Sequence, residues 1–179
     1  MTRSPSNRLM LAVLALATLA GCSGIDLFRD IAVESRTTAG VDYAAFKTFR
    51  FLHSERKIVR GADVKVTPTP EPMNLYLEDL VTKGLAPHGL APVDAKAKVK
   101  ADLDVRLTVV AKLADTPTDP SGDPAPDLSV LEVAITRTSD DREVWWGSTQ
   151  GEVWEEADEA TTKQRIEHAV SKLLARYPN

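Results

Sequence analysis

Sulfur chemistry in this 179-residue chain rests on one residue, Cys22. A lone cysteine excludes an intrachain disulfide, a Cys-rich zinc site and a CxxC redox pair. Carboxylate chemistry is concentrated in Asp115, Asp119, Asp123 and Asp127, which recur every fourth residue with no basic residue among them. Oxygen donors of this kind suit Ca²⁺. Calcium loops, however, set carboxylates at alternate positions around an orienting glycine, and Pro117, Pro120, Pro124 and Pro126 hinder convergence. The stretch reads as a soluble hairpin loop, with a ligand or metal carrier as its alternative use. His53, His88 and His168 have no ligand spacing such as i and i+4. Ser54-Glu55-Arg56-Lys57 formally fits a Ser-x-x-Lys nucleophile motif, but the Lys-Thr-Gly companion that the motif requires is absent. Gly147-Ser148-Thr149 lacks the spacing of a nucleophile elbow, and there is no phosphate-binding glycine loop. The expectation is a protein without catalysis, cofactor or metal. An envelope hydrolase with a dispersed active site is the alternative.

Aromatic recognition is the remaining chemistry. Trp145, Trp146 and Trp154 are all the tryptophans of the chain, and they fall in one β-prone run. Alternation puts Trp145 on one face with Gly147, Gly151 and Val153, and Trp146 and Trp154 on the other with Val144. The two glycines leave room for a helix to approach, so Trp145 is expected in the core. Trp146 and Trp154 are then the candidate partner-binding residues of an open face, suited to an envelope protein or a glycan.

Two arginines, Arg3 and Arg8, precede a nearly pure apolar run from Leu9 to Ala20, and the small residues Ala20-Gly21 come just before Cys22. This is the layout of a secretory leader. A helix of that length rises about 18 Å against a hydrocarbon core of roughly 30 Å, which disfavours a permanent span. Leu19-Ala20-Gly21-Cys22 resembles a bacterial lipobox. The resemblance implies that the Cys22 sulfur receives diacylglycerol, that the leader is cut before it, and that the new amine takes a further acyl chain such as palmitate. At roughly 0.8 kcal/mol per buried CH₂, two or three chains hold a domain on a bilayer almost permanently. The expected organisation is a signal peptide over 1–21, a lipidated tether over 22–30 and one periplasm-facing domain over 31–179. Ser23, in place of an aspartate after the cysteine, points to the outer membrane by the enteric sorting rule. The chain has 22 Lys and Arg against 26 Asp and Glu, a net charge of −4, and loss of Arg3 and Arg8 with the leader makes it more acidic. A nucleic-acid partner is therefore not expected.

The elements that would position these residues are legible in the periodicity. Ile31 to Ser35 alternates weakly, as an edge strand does, and Phe46 to Leu52 is aromatic and β-prone with Phe49 and Phe51 on one face. A mixed segment over 53–66 leads into Thr67-Pro68-Thr69-Pro70-Glu71-Pro72, read as an extended connector. Met73, Leu77, Val81 and Leu85 then repeat at helical spacing. Asn74 is the expected N-cap, Pro87 and Gly89 the stop, and Gly84 a mark of close packing. Val99 to Ala111 is apolar at every odd position, with Lys100, Asp102, Asp104, Arg106 and Thr108 between. Leu131-Val133-Ile135 and the run from Val144 to Trp154 follow, which predicts an antiparallel meander. Ile166, Ala169, Val170, Leu173, Leu174 and Tyr177 form the apolar stripe of a final helix. The fold expected is an α+β two-layer domain, an antiparallel sheet of four to five strands with both helices on one face. If the strands at 46–52 and 99–113 are parallel, the first helix belongs to the crossover between them.

Several of these blocks, taken in order, resemble the bacterial lipoprotein family known only as domain of unknown function 4136. They are Asp42-Tyr43 with Phe46-Lys47-Thr48-Phe49-Arg50-Phe51, Ala101-Asp102-Leu103-Asp104-Val105, Val144-Trp145-Trp146-Gly147-Ser148 with Gly151, and Ile166 through Tyr177-Pro178. The resemblance implies a small periplasmic domain on a lipid anchor and carries over no catalytic residue.

Overall fold

The computed structural model describes residues 28–94, 100–113, 128–152 and 157–179. The chain begins with β1 (Ala32–Thr37), followed by a 3₁₀ turn at Tyr43–Ala45, then β2 (Thr48–Phe51), β3 (Glu55–Arg60) and β4 (Asp63–Pro68). Helix α1 (Glu71–Leu85) and a 3₁₀ turn at Ala86–His88 lead to the short β5 (Ala91–Pro92). Three long strands, β6 (Leu103–Leu113), β7 (Leu128–Arg137) and β8 (Arg142–Glu152), precede α2 (Glu159–Leu174).

The sheet runs β1-β8-β7-β6, with every pair in that half antiparallel, so the meander is as expected. The far edge of β6 is shared. Its first residues pair in parallel with β2, which in turn pairs with β5, and its last residues pair in parallel with β3, which forms a hairpin with β4. The sheet is therefore mixed and has eight strands, where four to five antiparallel ones were expected. The physical reason is local. Strands β3 and β4 form an edge hairpin that carries Arg56, Lys57, Arg60, Asp63 and Lys65 on both faces, as edge strands do to stay soluble, and this erases the alternation by which a strand is recognised. β5 is too short for any period to show. Parallel pairing of β2 with β6 needs a long crossover, which α1 and the hairpin supply.

Both helices lie on the face that bears the odd residues of β6. Leu103, Val105 and Leu107 share one core with Leu77, Val81 and Leu85 of α1 and with Val170, Leu173 and Leu174 of α2, along with Val133 and Ile135 of β7. Asp102, Asp104 and Arg106 do not enter this layer, so the predicted register holds. Helix α1 starts two residues before Met73, with Pro70 rather than Asn74 at its cap and Pro72 in its first turn, where a missing N–H costs nothing. Gly89 takes a left-handed conformation, φ 78°, beyond the following 3₁₀ turn. Gly84 marks close packing as expected, since a Cβ there would collide with Leu174.

One departure from alternation matters for the site. Across β7 and β8, Ile135 pairs with Trp145 but Thr136 pairs with Glu143, so a bulge leaves Val144 without a partner. Val144 and Trp145 are consecutive yet both buried in the core. Val144 thus leaves the Trp146 face on which strict alternation put it.

Asp102 clamps the parallel half of the sheet. Its Oδ2 accepts from the Lys47 N–H at 2.9 Å, the Thr48 N–H at 3.0 Å and the Thr48 hydroxyl at 3.0 Å. Beside it, Arg50 donates to Asp104 at 2.6 Å. The Lys47 N–H, followed by the Thr48 N–H and hydroxyl against an opposing desolvation, holds the Asp102 carboxyl below its usual range. A carboxylate depressed in this way contributes stability that is present above the unfolded value near 3.9 and is lost as pH falls through the folded value. Asp102→Asn should lower stability at neutral pH by about 1–3 kcal/mol and flatten its decline on acidification below about pH 4. Urea unfolding of both proteins along a pH series measures this, and parallel acid profiles would refute it.

Candidate functional site

Among the described residues, two features lie on opposite faces of the sheet, an indole and an apolar cavity. The first is centred on Trp146. The bulge that puts Val144 and Trp145 inward leaves Trp146 half-buried on the sheet face away from α1 and α2, opposite Arg36 of β1 and Ala134 of β7. The Arg36 guanidinium sits 4.4 Å from the centroid of the indole and also donates to Glu143 at 3.2 Å. The result is an indole with one face covered by a cation that is itself held by a carboxylate. Such a stack is worth about 0.5–1 kcal/mol when exposed. Trp154, the other residue expected on this face, lies outside the described residues, as do Cys22 and the four aspartates from Asp115 to Asp127.

Trp145 faces the other way and has a structural role. It is 1% exposed, and its ring makes an edge contact with Tyr177 at 5.7 Å between centroids. Tyr177 in turn meets Tyr43 at 5.6 Å and His88 at 5.2 Å. The Tyr43 hydroxyl donates to the Val144 carbonyl at 2.5 Å, and burial followed by the neighbouring Tyr43 pushes the Tyr177 phenol well above its ordinary value. Gly147 is required here, since a Cβ would collide with the Trp145 ring and with Leu173. The Asp42-Tyr43, Trp145-Gly147 and Tyr177-Pro178 blocks thus converge on one aromatic cluster. The Phe46–Phe51 and Ala101–Val105 blocks converge on the Asp102 clamp.

The remaining polar candidates are dispersed. His53 is exposed, His88 bonds Asn179 at 2.8 Å through Nδ1, and His168 stacks on Phe28 at 4.1 Å. Ser54 is buried and donates to Asn74 of α1, so its hydroxyl holds the helix in place. Among the described residues, no group of three or more His, Cys, Asp or Glu side chains could hold a metal ion.

The second place is a cavity of about 290 Å³ between the sheet and the helices. Leu77 of α1, Val109 and Leu131 of the sheet, and Ile166, Ala169 and Val170 of α2 supply most of its apolar wall. Two polar features interrupt it. The Thr149 hydroxyl, on a residue 5% exposed, has no hydrogen-bond partner. Arg165, buried, pairs with Asp30 at 2.5 Å and reaches the Glu152 carbonyl at 3.3 Å, while the Glu152 N–H donates to the same Asp30 oxygen at 2.8 Å. Burial alone would raise the Asp30 carboxyl, but the Arg165 guanidinium and the Glu152 N–H outweigh it and hold it below its ordinary value. Sequence reasoning weighed Thr149 only within the rejected Gly147-Ser148-Thr149 motif, placed Asp30 in the tether and passed over Arg165. The one signal was positional: Arg165 lies one helical turn before Ala169, in line with the apolar stripe of α2.

A mixed sheet covered on one face by two helices, with the Trp146 indole and the Arg36 guanidinium stacked on the other, defines a two-layer α+β domain. The chain belongs to the family described as Domain of unknown function (DUF4136), which matches residues 33–179. Solved structures are similar to the chain at low identity. A PDZ domain protein from Parabacteroides distasonis is 16% identical with a TM-score of 0.52, over 84% of this chain and 37% of its own. A DUF4136 family protein from Bacteroides thetaiotaomicron is 14% identical with a TM-score of 0.49, over 80% and 95%. The PelC dodecamer from Paraburkholderia phytofirmans is 13% identical with a TM-score of 0.48, over 82% and 99%. No curated protein matches the chain.

Proposed function

We propose that this chain is a non-enzymatic binding domain of the bacterial envelope, anchored by lipid on Cys22 in the outer membrane and facing the periplasm. The observation that carries the reading is the Arg36–Trp146 stack on the sheet face opposite the one that α1 and α2 cover. An indole beside a guanidinium offers an apolar surface and directed donors together, the combination that anchors a peptide or glycan partner. The Leu19-Ala20-Gly21-Cys22 motif and the length of the apolar run support the anchor, and the residues between Cys22 and Phe28, where the chain docks on α2 through Phe28 and Asp30, would serve as its tether. Dispersed histidines and a serine already committed to Asn74 favour binding over hydrolysis.

Two variants in living cells test the reading. Cys22→Ala should abolish the mass of the acyl chains and block normal leader processing. A mature N-terminus at an unlipidated residue beyond Cys22 would refute the anchor. Trp146→Ala should leave stability within about 1 kcal/mol of the parent and abolish cross-links between this face and its envelope partner. Cross-links that persist unchanged in that variant would refute the binding face.

A further inference from the structure

We propose that the cavity between α2 and the sheet is a binding site for a neutral, medium-chain alkyl amphiphile, a molecule with one hydrocarbon chain and one hydroxyl. Four observations lead there. The wall is formed mainly by Leu77, Val109, Leu131, Ile166, Ala169 and Val170, which favour a hydrocarbon. An apolar cavity of about 150 Å³ accommodates a six-carbon benzene, so about 290 Å³ corresponds to a chain of roughly ten carbons. The Thr149 hydroxyl is buried in this wall without a partner, and a single hydroxyl on the ligand would form one bond with it, as donor or as acceptor. Arg165 of the wall is paired with Asp30, and Glu152, the other ionisable residue of the lining, is exposed to solvent, so the buried part of the wall offers no unpaired charge to an ionised head group. Burying a charge there would cost far more than burying a hydroxyl that finds a bond.

The site is separate from the Trp146 face and does not depend on the anchor at Cys22, so the two readings fail independently. Mutations on one face leave the other intact.

The test uses the chain from residue 22 onward, expressed without the leader and with Cys22→Ala, which removes any attached acyl chain as a competing occupant. It employs three probes of equal chain length: 1-decanol, decanoate and decylamine. Calorimetry and native mass spectrometry should show one decanol per chain and a raised Tm, with the two charged probes bound at least about tenfold more weakly. Ser129→Phe, at the exposed rim of the cavity, should remove binding while circular dichroism stays unchanged. Thr149→Val, which keeps the shape and deletes the hydroxyl, should weaken decanol roughly three- to tenfold. The proposal is overturned if decanol shows no saturable binding. It is equally overturned if decanoate or decylamine binds as tightly, or if both variants bind decanol like the parent.

Discussion

Replacing Trp145 by alanine should lower the stability of the domain by roughly 3–5 kcal/mol, the range for deleting a large buried aromatic. The ring is buried against Tyr177 and Leu173 and fills the space that Gly147 leaves open. Deleting it removes this packing and one member of the cluster that joins β8 to the C-terminal Tyr177. The neighbouring substitution is the internal control, because Trp146 is half-buried on the opposite face and loses little more than its stack on Arg36. Urea midpoints for the two variants give the stability difference directly. Iodide quenching of single-tryptophan variants gives the geometry. Trp145 should be shielded and Trp146 accessible, and the reverse pattern would mean that the bulge at Val144 is misplaced and the binding face assigned to the wrong residue.

Leu173→Ala should cost about 2–5 kcal/mol. Leu173 is fully buried on α2 and points to the position where a side chain at Gly147 would begin, so it closes the helix layer onto the centre of β8. Since Leu173 and Trp145 border the same space, their losses should not add. A double-mutant cycle should return a coupling of about 0.5–3 kcal/mol. Strict additivity in chemical denaturation would show that the two residues occupy separate parts of the core and would contradict the packing around Gly147.

Much of this fold is legible along the chain because the relevant periods are long and clean. β6 alternates over eleven residues, and α2 keeps one apolar stripe from Ile166 to Tyr177. Burial on one face imposes each pattern, so the pattern reports the face. The β3–β4 hairpin was not legible for the converse reason. Its Val64 and Val66 are 59% and 54% exposed, and with charges on both faces there is no burial to impose a period. The N-cap of α1 was misread because Asn74, a strong capping type, is used to receive Ser54 and to bond Glu78 at 2.7 Å.

By itself, the sequence determined the composition of the core, the odd-numbered inner face of β6, the inward turn of Trp145 and the family of the chain. These are properties of residue type and spacing, which act over a few positions. Only the tertiary structure decided how β6 shares one edge between β2 and β3, and that one bulged residue brings Val144 in beside Trp145. It also decided that Thr149 and Arg165 line one cavity, with Arg165 held there by Asp30. Arg165 and Asp30, 135 residues apart in sequence, leave no local trace of their pairing. Their meeting depends on strand register and helix placement, which are set by the packing of the whole layer rather than by any segment of it.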